Sequence, residues 1–383
     1  YNCMMYKKPA KDLTNEKTLL QLRLKHPNPV LTLILKYREM AKQSGQLKFP
    51  PYVPRGTTKE RVTTAYNLAG TTSFRLASRR LLGRWGTNVQ NFPKDLRKLF
   101  IPDEGKVFIQ VDQSGAEALI VSYLCYEGNF RSLFLHGIKS HVYVALRLFA
   151  DVWSAELGRS VDEYCAAPIG EVTKLKGWKE LDTLIKSSDG WPADKRYYFI
   201  SKMVCHASNY GMKPPTFRIN MLQKSEGKVS ISLAEAKRFL NTYHQLFPEI
   251  QLWQKETINT LRRDGILRNL FGYPRVFTAQ VEESMYKEAY AFVPQSTVGT
   301  ITNLTFSKMQ QKIENPNDKL STMDVDIVQN NHDSVLLQCP PEHADYVAEQ
   351  TVNVMNCDLI SPRGEKFKMK SEACIGDTWG GLA

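Results

Sequence analysis

The chain has 383 residues, enough for two or three packed substructures, and 42% of them are hydrophobic, as in an ordinary globular protein. No apolar run reaches the roughly 18 residues of a membrane-spanning helix, and the opening YNCMMYKKPAKDL lacks the apolar stretch of a secretory leader, so neither feature is expected. The formal net charge of +12 is spread along the chain, which points to a polyanionic partner held in a long groove rather than on one patch.

The seven cysteines are odd in number and form no C-x-x-C pair, which argues against a zinc site or disulfide framework and for a reducing, intracellular compartment. Residues 14–44 read as helix with a proline-containing break at 26–29, and Pro50, Pro51 and Pro54 mark a linker. Residues 60–78 alternate as in strands. VFIQVD, 107–112, reads as a short buried strand ending on a carboxylate. Residues 115–150 read as helix with a turn near Gly128, and 151–192 as an irregular, loop-rich insertion. A helix over 193–210 ends at Gly211, and a long helix over 233–265 ends at Gly265. Then come a hairpin over 266–277, a helix over 281–312, two strands around a tight turn in VDIVQNNHDSVLLQC, and a helix over 342–357. Helices inserted between distant strands predict an α+β fold with one discontinuous domain.

Three clusters carry chemistry. Asp112 ends a strand, and Glu117 follows five residues later at the start of a helix. Asp333, preceded by His332, lies at the turn of the apolar hairpin. Either acid alone is an ordinary turn residue. Together, at the ends of adjacent strands, they can share two metals about 3.5–4 Å apart, and magnesium suits a site with few protein carboxylates. In DKRYYFISKMVCHASNYGM, Lys202, His206 and Tyr210 recur at i, i+4 and i+8 on one helix face, with Lys195 approximately in line. That is a cation able to hold a triphosphate beside rings able to stack on a base.

This set resembles the family A DNA polymerases, the bacterial polymerase I and phage replicase group. Asp112–Gln113–Ser114–x–x–Glu117 is similar to their motif A, Lys202, His206 and Tyr210–Gly211 to motif B, and His332–Asp333 to motif C. Further matches run in family order. TTSFRLASRR implies Arg75 near primer and template, NVQNFP implies Asn88, Gln90 and Asn91 as DNA contacts, KSHVYVALRLF implies His141 at a phosphate, and FVPQST implies Gln295 in the DNA groove.

The resemblance implies a right-hand polymerase: a partial helical thumb at 1–55, a palm of antiparallel sheet plus helices at 56–124 and 286–383, and helical fingers at 125–285. It implies primer extension with deoxynucleoside triphosphates on a primed DNA template. Asp112 and Asp333 would hold two Mg2+ ions, with Mn2+ as substitute. Lys202 and His141 would neutralise the triphosphate, and His206 would bind nucleotide. Tyr210 would guard the template-base pocket, and His332 would contact DNA. Glu117 would exclude a ribose 2′-OH, with His206 as its partner. The setting implied is the cytoplasm or nucleoid of a bacterial host, away from membranes, and no helicase or processivity partner is indicated. The first segment resembles the last long thumb helix, so the expectation is either that the chain is a fragment or that proofreading and 5′ nuclease activities lie elsewhere.

Three departures stand out. Tyr198 occupies the place of the motif B arginine, His206 stands for the usual Phe or Tyr, and Ser334 replaces the acid after His-Asp. The His-Asp-Ser run is similar to single-subunit RNA polymerases, the alternative enzyme reading, whereas Glu117 is the DNA enzyme's residue. A third reading, an inactive nucleic-acid-binding relative, is opposed by the presence of Asp112, Asp333 and Lys202.

Overall fold

The computed structural model describes residues 14–26, 28–51, 53, 60–113, 115–189, 196–278 and 282–382. The readings at Cys3, Pro54, Ser114 and Lys195 lie outside the described residues. The fold is α+β. The chain divides into two compact units, one comprising Tyr1–Ala41, Val121–Asn259 and Glu282–Tyr290, the other Lys42–Ile120, Thr260–Val281 and Ala291–Ala383.

The second unit is built on a four-stranded antiparallel sheet. Its strands are β1 (Val107–Gln113), β2 (Asp326–Asn331), β3 (Ser334–Cys339) and β4 (Ser371–Gly376), in the spatial order β4-β1-β3-β2. Alternation along β1 sends Ile109 and Val111, both 0% exposed, to one face. On the other face Phe108 joins a core with Val89, Phe92, Leu336, Trp379 and Leu382. β3 is buried along its whole length, which accounts for the unbroken apolar run in SVLL. The helix Ala344–Met355 packs against β1 and β4. The tight turn joins β2 and β3 as expected. The edge strand β4 was not expected: it is mostly exposed and its sequence lacks apolar alternation.

Among the described residues the first unit contains helices and no strand. Segment 151–192, expected to be irregular, is largely helical over its described part, with Ala150–Leu157, Asp162–Ala166, Ile169–Val172 and Trp178–Ser187. Gly158 and Gly177, both at positive φ, and Pro168 break it into pieces too short to show a clear period, yet Trp153, Tyr164, Trp178, Leu181 and Ile185 are buried. The helix expected over 115–150 turns near Gly128 as expected and breaks once more, giving Ala116–Leu124, Asn129–Leu135 and Ser140–Leu148. The one expected over 233–265 is two, Leu233–Leu246 and Pro248–Asp264. Pro248 can start a helix but cannot continue one, and Ser232 with Glu235 caps the first of the pair reciprocally. No helix among the described residues is long and apolar enough to cross a membrane.

Candidate active site

Strand register brings the two acids together. Asp112 of β1 lies directly across from Ser334 of β3, so the turn residue Asp333 sits beside the end of β1. The Gln113 backbone N–H donates to the Asp333 carbonyl at 3.2 Å. His332, the first turn residue, has a φ of 56°, uncommon outside glycine and tolerated better by His than by branched residues. Its carbonyl accepts from Thr302 Oγ1 at 3.1 Å, and Gln113 Nε2 donates to that same hydroxyl at 2.8 Å. Behind the turn, Tyr66 and Asn330 exchange hydrogen bonds of 2.9 and 3.0 Å, and burial pushes the Tyr66 hydroxyl up to about 12. The turn is thus fixed by partners from both β1 and the long helix Glu283–Glu314.

Both carboxylates are raised, Asp112 by more. Burial first, then the nearby charge of Asp333, raises Asp112 to about 7, and Glu372, directly opposite on β4, adds to the rise. Asp333 is also raised, by burial, against the lowering pull of Arg75. Asp112 Oδ1 is buried with no hydrogen-bond partner. A buried, unpaired carboxylate oxygen beside a second carboxylate is what a divalent cation satisfies. Among the described residues no group of three or more His, Cys, Asp and Glu is arranged to hold a metal. A cation here would therefore take two carboxylates and leave the rest of its shell to water and phosphate, as magnesium does.

Arg75 Nη2 donates to Glu117 Oε1 at 2.6 Å, with both side chains largely covered. The loop carrying Arg75 is held by contacts distant in sequence. Phe74 has a φ of 58°, its ring packs edge-on against Tyr273 and Phe292, and its carbonyl accepts from Asn303 at 2.8 Å. Gly299 lets the long helix pass close by: a Cβ there would meet Arg75 Cγ at 2.9 Å.

The NVQNFP residues divide in role. Asn88 is exposed and caps the turn through the Gln90 N–H. Asn91 is exposed, and its carbonyl accepts from Gln46. Gln90 is buried, and its amide is consumed by Ser78 N–H, the Leu76 carbonyl and the Asn330 carbonyl, each at 3.0 Å. It is a tie between loop and hairpin rather than a surface group. Gln295 is half-buried on the long helix, one residue after Pro294.

In the other unit, Lys202, His206 and Tyr210 belong to the helix Tyr197–Asn209 and its C-cap. His206 is exposed, Tyr210 is buried, and their rings meet edge-on at 5.0 Å. The helix end is locked by Gln254, which donates to the Ser208 and Asn209 carbonyls at 2.8 and 3.0 Å, and by the Tyr243 hydroxyl on Asn209 at 2.6 Å. Gly211 follows at a φ of 65°, and a Cβ there would strike the Tyr290 ring at 2.8 Å. Lys202 Nζ pairs with Asp189 at 2.5 Å and lies 4.8 Å from the centre of the Tyr198 ring. Burial, reinforced by Lys202, lowers His141 to about 4, so it is neutral at pH 7 and offers hydrogen bonds rather than charge. Arg196, adjoining the helix, acts electrostatically on Glu235.

Three charges near the carboxylates escaped sequence reasoning. Lys94 acts on Asp112 and Arg97 on Asp333, from one short helix, and Arg97 also stacks over Trp379 at 4.6 Å. Glu372 is the third. The short helix is legible in the Pro-Lys-Asp sequence, but its position beside the acids is a tertiary fact.

Residues 3–156 and 193–381 match the model of DNA polymerase family A. The chain is 24% identical over 385 residues to the thermostable DNA polymerase I of Thermus aquaticus, covering 97% of this chain and 38% of that protein. It is 21% identical over 381 residues to a DNA polymerase I of Helicobacter pylori, covering 96% of this chain and 35% of that one. The chain thus spans little more than a third of these relatives. A solved structure, the POL domain of Pol1 from M. smegmatis in complex with DNA primer-template and dNTP, superposes with a TM-score of 0.68 at 18% identity, over 96% of this chain and 56% of that one, and shows a shared fold. On the extent of the family match, the chain belongs to DNA polymerase family A.

Proposed function

We propose that this chain is a template-directed DNA polymerase, adding deoxynucleotides to the 3′ end of a primer on a DNA template and releasing pyrophosphate. The observation that carries the reading is the Asp112–Asp333 pair, two raised carboxylates fixed at adjoining strand ends with one buried oxygen unpaired. Two divalent ions, Mg2+ by preference, would lower the pKa of the primer hydroxyl and steady the leaving pyrophosphate when bound. Asp112 and Asp333 would hold them, and the hydrogen-bonded turn at His332 keeps the second acid in register with the first. Glu117, clamped by Arg75, would occupy the space of a ribose 2′-OH. In the helical unit Lys202 would bind triphosphate charge, and neutral His141 would donate an N–H to it. His206 would contact the nucleotide, and Tyr210 would bound the template-base pocket. Asn88, Asn91, Gln295 and His332 would lie along the duplex.

In hand terms, the sheet-bearing segments correspond to the palm, the helices around Tyr197–Asn209 to the fingers, and the first segment to part of the thumb. Ser334 favours the RNA polymerase reading and Glu117 opposes it. Extension of a primed DNA template, with deoxy- and ribonucleoside triphosphates supplied separately, tests the proposal. Extension with deoxynucleotides supports it. Preference for ribonucleotides, or no extension with either, contradicts it.

A further inference from the structure

Motif B in this chain has a tyrosine where an arginine is usual, so Lys202 lacks its expected companion. What surrounds the Lys202 ammonium here is different. The Tyr198 ring, one helical turn earlier and 7% exposed, lies 4.8 Å from it, in the range where a cation is attracted to a ring face. That ring is itself packed: His141 lies edge-on to it with ring centres 5.9 Å apart. The ammonium also makes an ion pair of 2.5 Å with Asp189. The two contacts differ in kind. Tyr198 is buried and held by packing, whereas Lys202 and Asp189 are both about 40% exposed, so water and solutes reach the pair.

We propose that Tyr198 is a positioning residue for Lys202, its ring fixing the ammonium, and that the Asp189 carboxylate is an internal stand-in that the nucleotide's phosphates displace. The inference rests on the assignment of Lys202 to triphosphate binding. Carboxylate and phosphate are both oxyanions that take the same N–H donors, so they compete for one ammonium. A triphosphate carries more charge than one carboxylate and wins at sufficient concentration. The cost of displacing the Asp189 carboxylate from the ammonium then appears as a higher KM for the nucleotide. The ring contact persists in both states, because a cation–π contact occupies the ammonium's flank and leaves its other N–H groups to phosphate.

The two roles predict effects of opposite sign, which general structural damage does not produce. Asp189→Asn removes the competing charge and keeps the size. At low ionic strength it should lower the KM for deoxynucleoside triphosphate by about two- to fivefold, the scale of an exposed ion pair, with kcat unchanged. Tyr198→Leu removes the ring and should raise that KM by a similar factor, and Tyr198→Phe, which keeps the ring face, should recover the wild-type value. Lys202→Ala serves as the control for the underlying assignment. If Lys202→Ala raises KM but Asp189→Asn leaves it unchanged or raises it, or Tyr198→Phe behaves as Tyr198→Leu, the two roles are overturned and the assignment stands. If Lys202→Ala leaves KM unchanged, both fall together.

Discussion

Arg75 and Glu117, 42 positions apart in sequence, form an ion pair of 2.6 Å in which the guanidinium holds one carboxylate oxygen. A glutamate that excludes a 2′-hydroxyl has to be stiff, and a partly buried charged hydrogen bond supplies stiffness. Glu117→Ala should therefore lower discrimination against ribonucleotides, and Arg75→Ala should do so through the same group. Each should cost about 1–3 kcal/mol of stability, the usual loss for a covered hydrogen bond to a charged group. The ratio of kcat/KM for matched deoxy- and ribonucleotides, measured in both single variants and the double variant, checks this. The account expects the double variant to lose little more discrimination than Glu117→Ala alone, and full additivity would separate the two residues.

Asp112 is held near pKa 7 where its ordinary value is 3.8, so the folded protein retains a proton that the unfolded chain has released. Between those values the native state binds more protons, and stability falls as pH rises from about 4 to about 7. In metal-free buffer at pH 8, Asp112→Asn should consequently raise the melting temperature, with the gain vanishing below about pH 4. Glu372→Gln should act in the same direction but more weakly, because Glu372 is exposed and screened. Thermal melts across pH decide the matter, and a lower melting temperature for Asp112→Asn at pH 8 would refute it.

Gln90 was expected at the DNA, and its buried amide instead makes three hydrogen bonds within the protein. Gln90→Ala removes the partner of the Ser78 N–H and of the Leu76 carbonyl, while the Asn330 carbonyl keeps the Tyr66 hydroxyl. It should destabilise the chain by about 1–3 kcal/mol in a denaturant titration, while the salt dependence of DNA binding stays as in wild type.

Affinity for primed duplexes should fall steeply with salt and vary little with sequence, given a net charge of +12 spread along the chain. A salt series on several unrelated duplexes measures both properties. A flat response would remove the electrostatic basis of the reading.

The acids, the motif B face and the hairpin were legible because each is local: an apolar strand ending on Asp112, a tight turn at Asp333, a four-residue period through Lys202, His206 and Tyr210. The partners were not. Glu117 finding Arg75, Lys202 finding Asp189, and Asp112 facing Glu372 depend on contacts set by tertiary register. The edge strand β4 lacked a pattern because an exposed edge has no face to bury. The helices of 151–187 hid behind their own glycines and proline, being only four to ten residues long. Gln90 shows that a polar residue in a binding-type motif can also tie the scaffold together, which its sequence context does not reveal.

The central claim is that Asp112 and Asp333 act on the chemical step through bound divalent ions. Single-turnover primer extension by Asp112→Ala and Asp333→Ala, with duplex affinity measured in parallel, tests it most directly. The account predicts rates lower by orders of magnitude with DNA affinity nearly unchanged, because groups that act in the transition state contribute little to binding the duplex. Extension near the wild-type rate by either variant would contradict it.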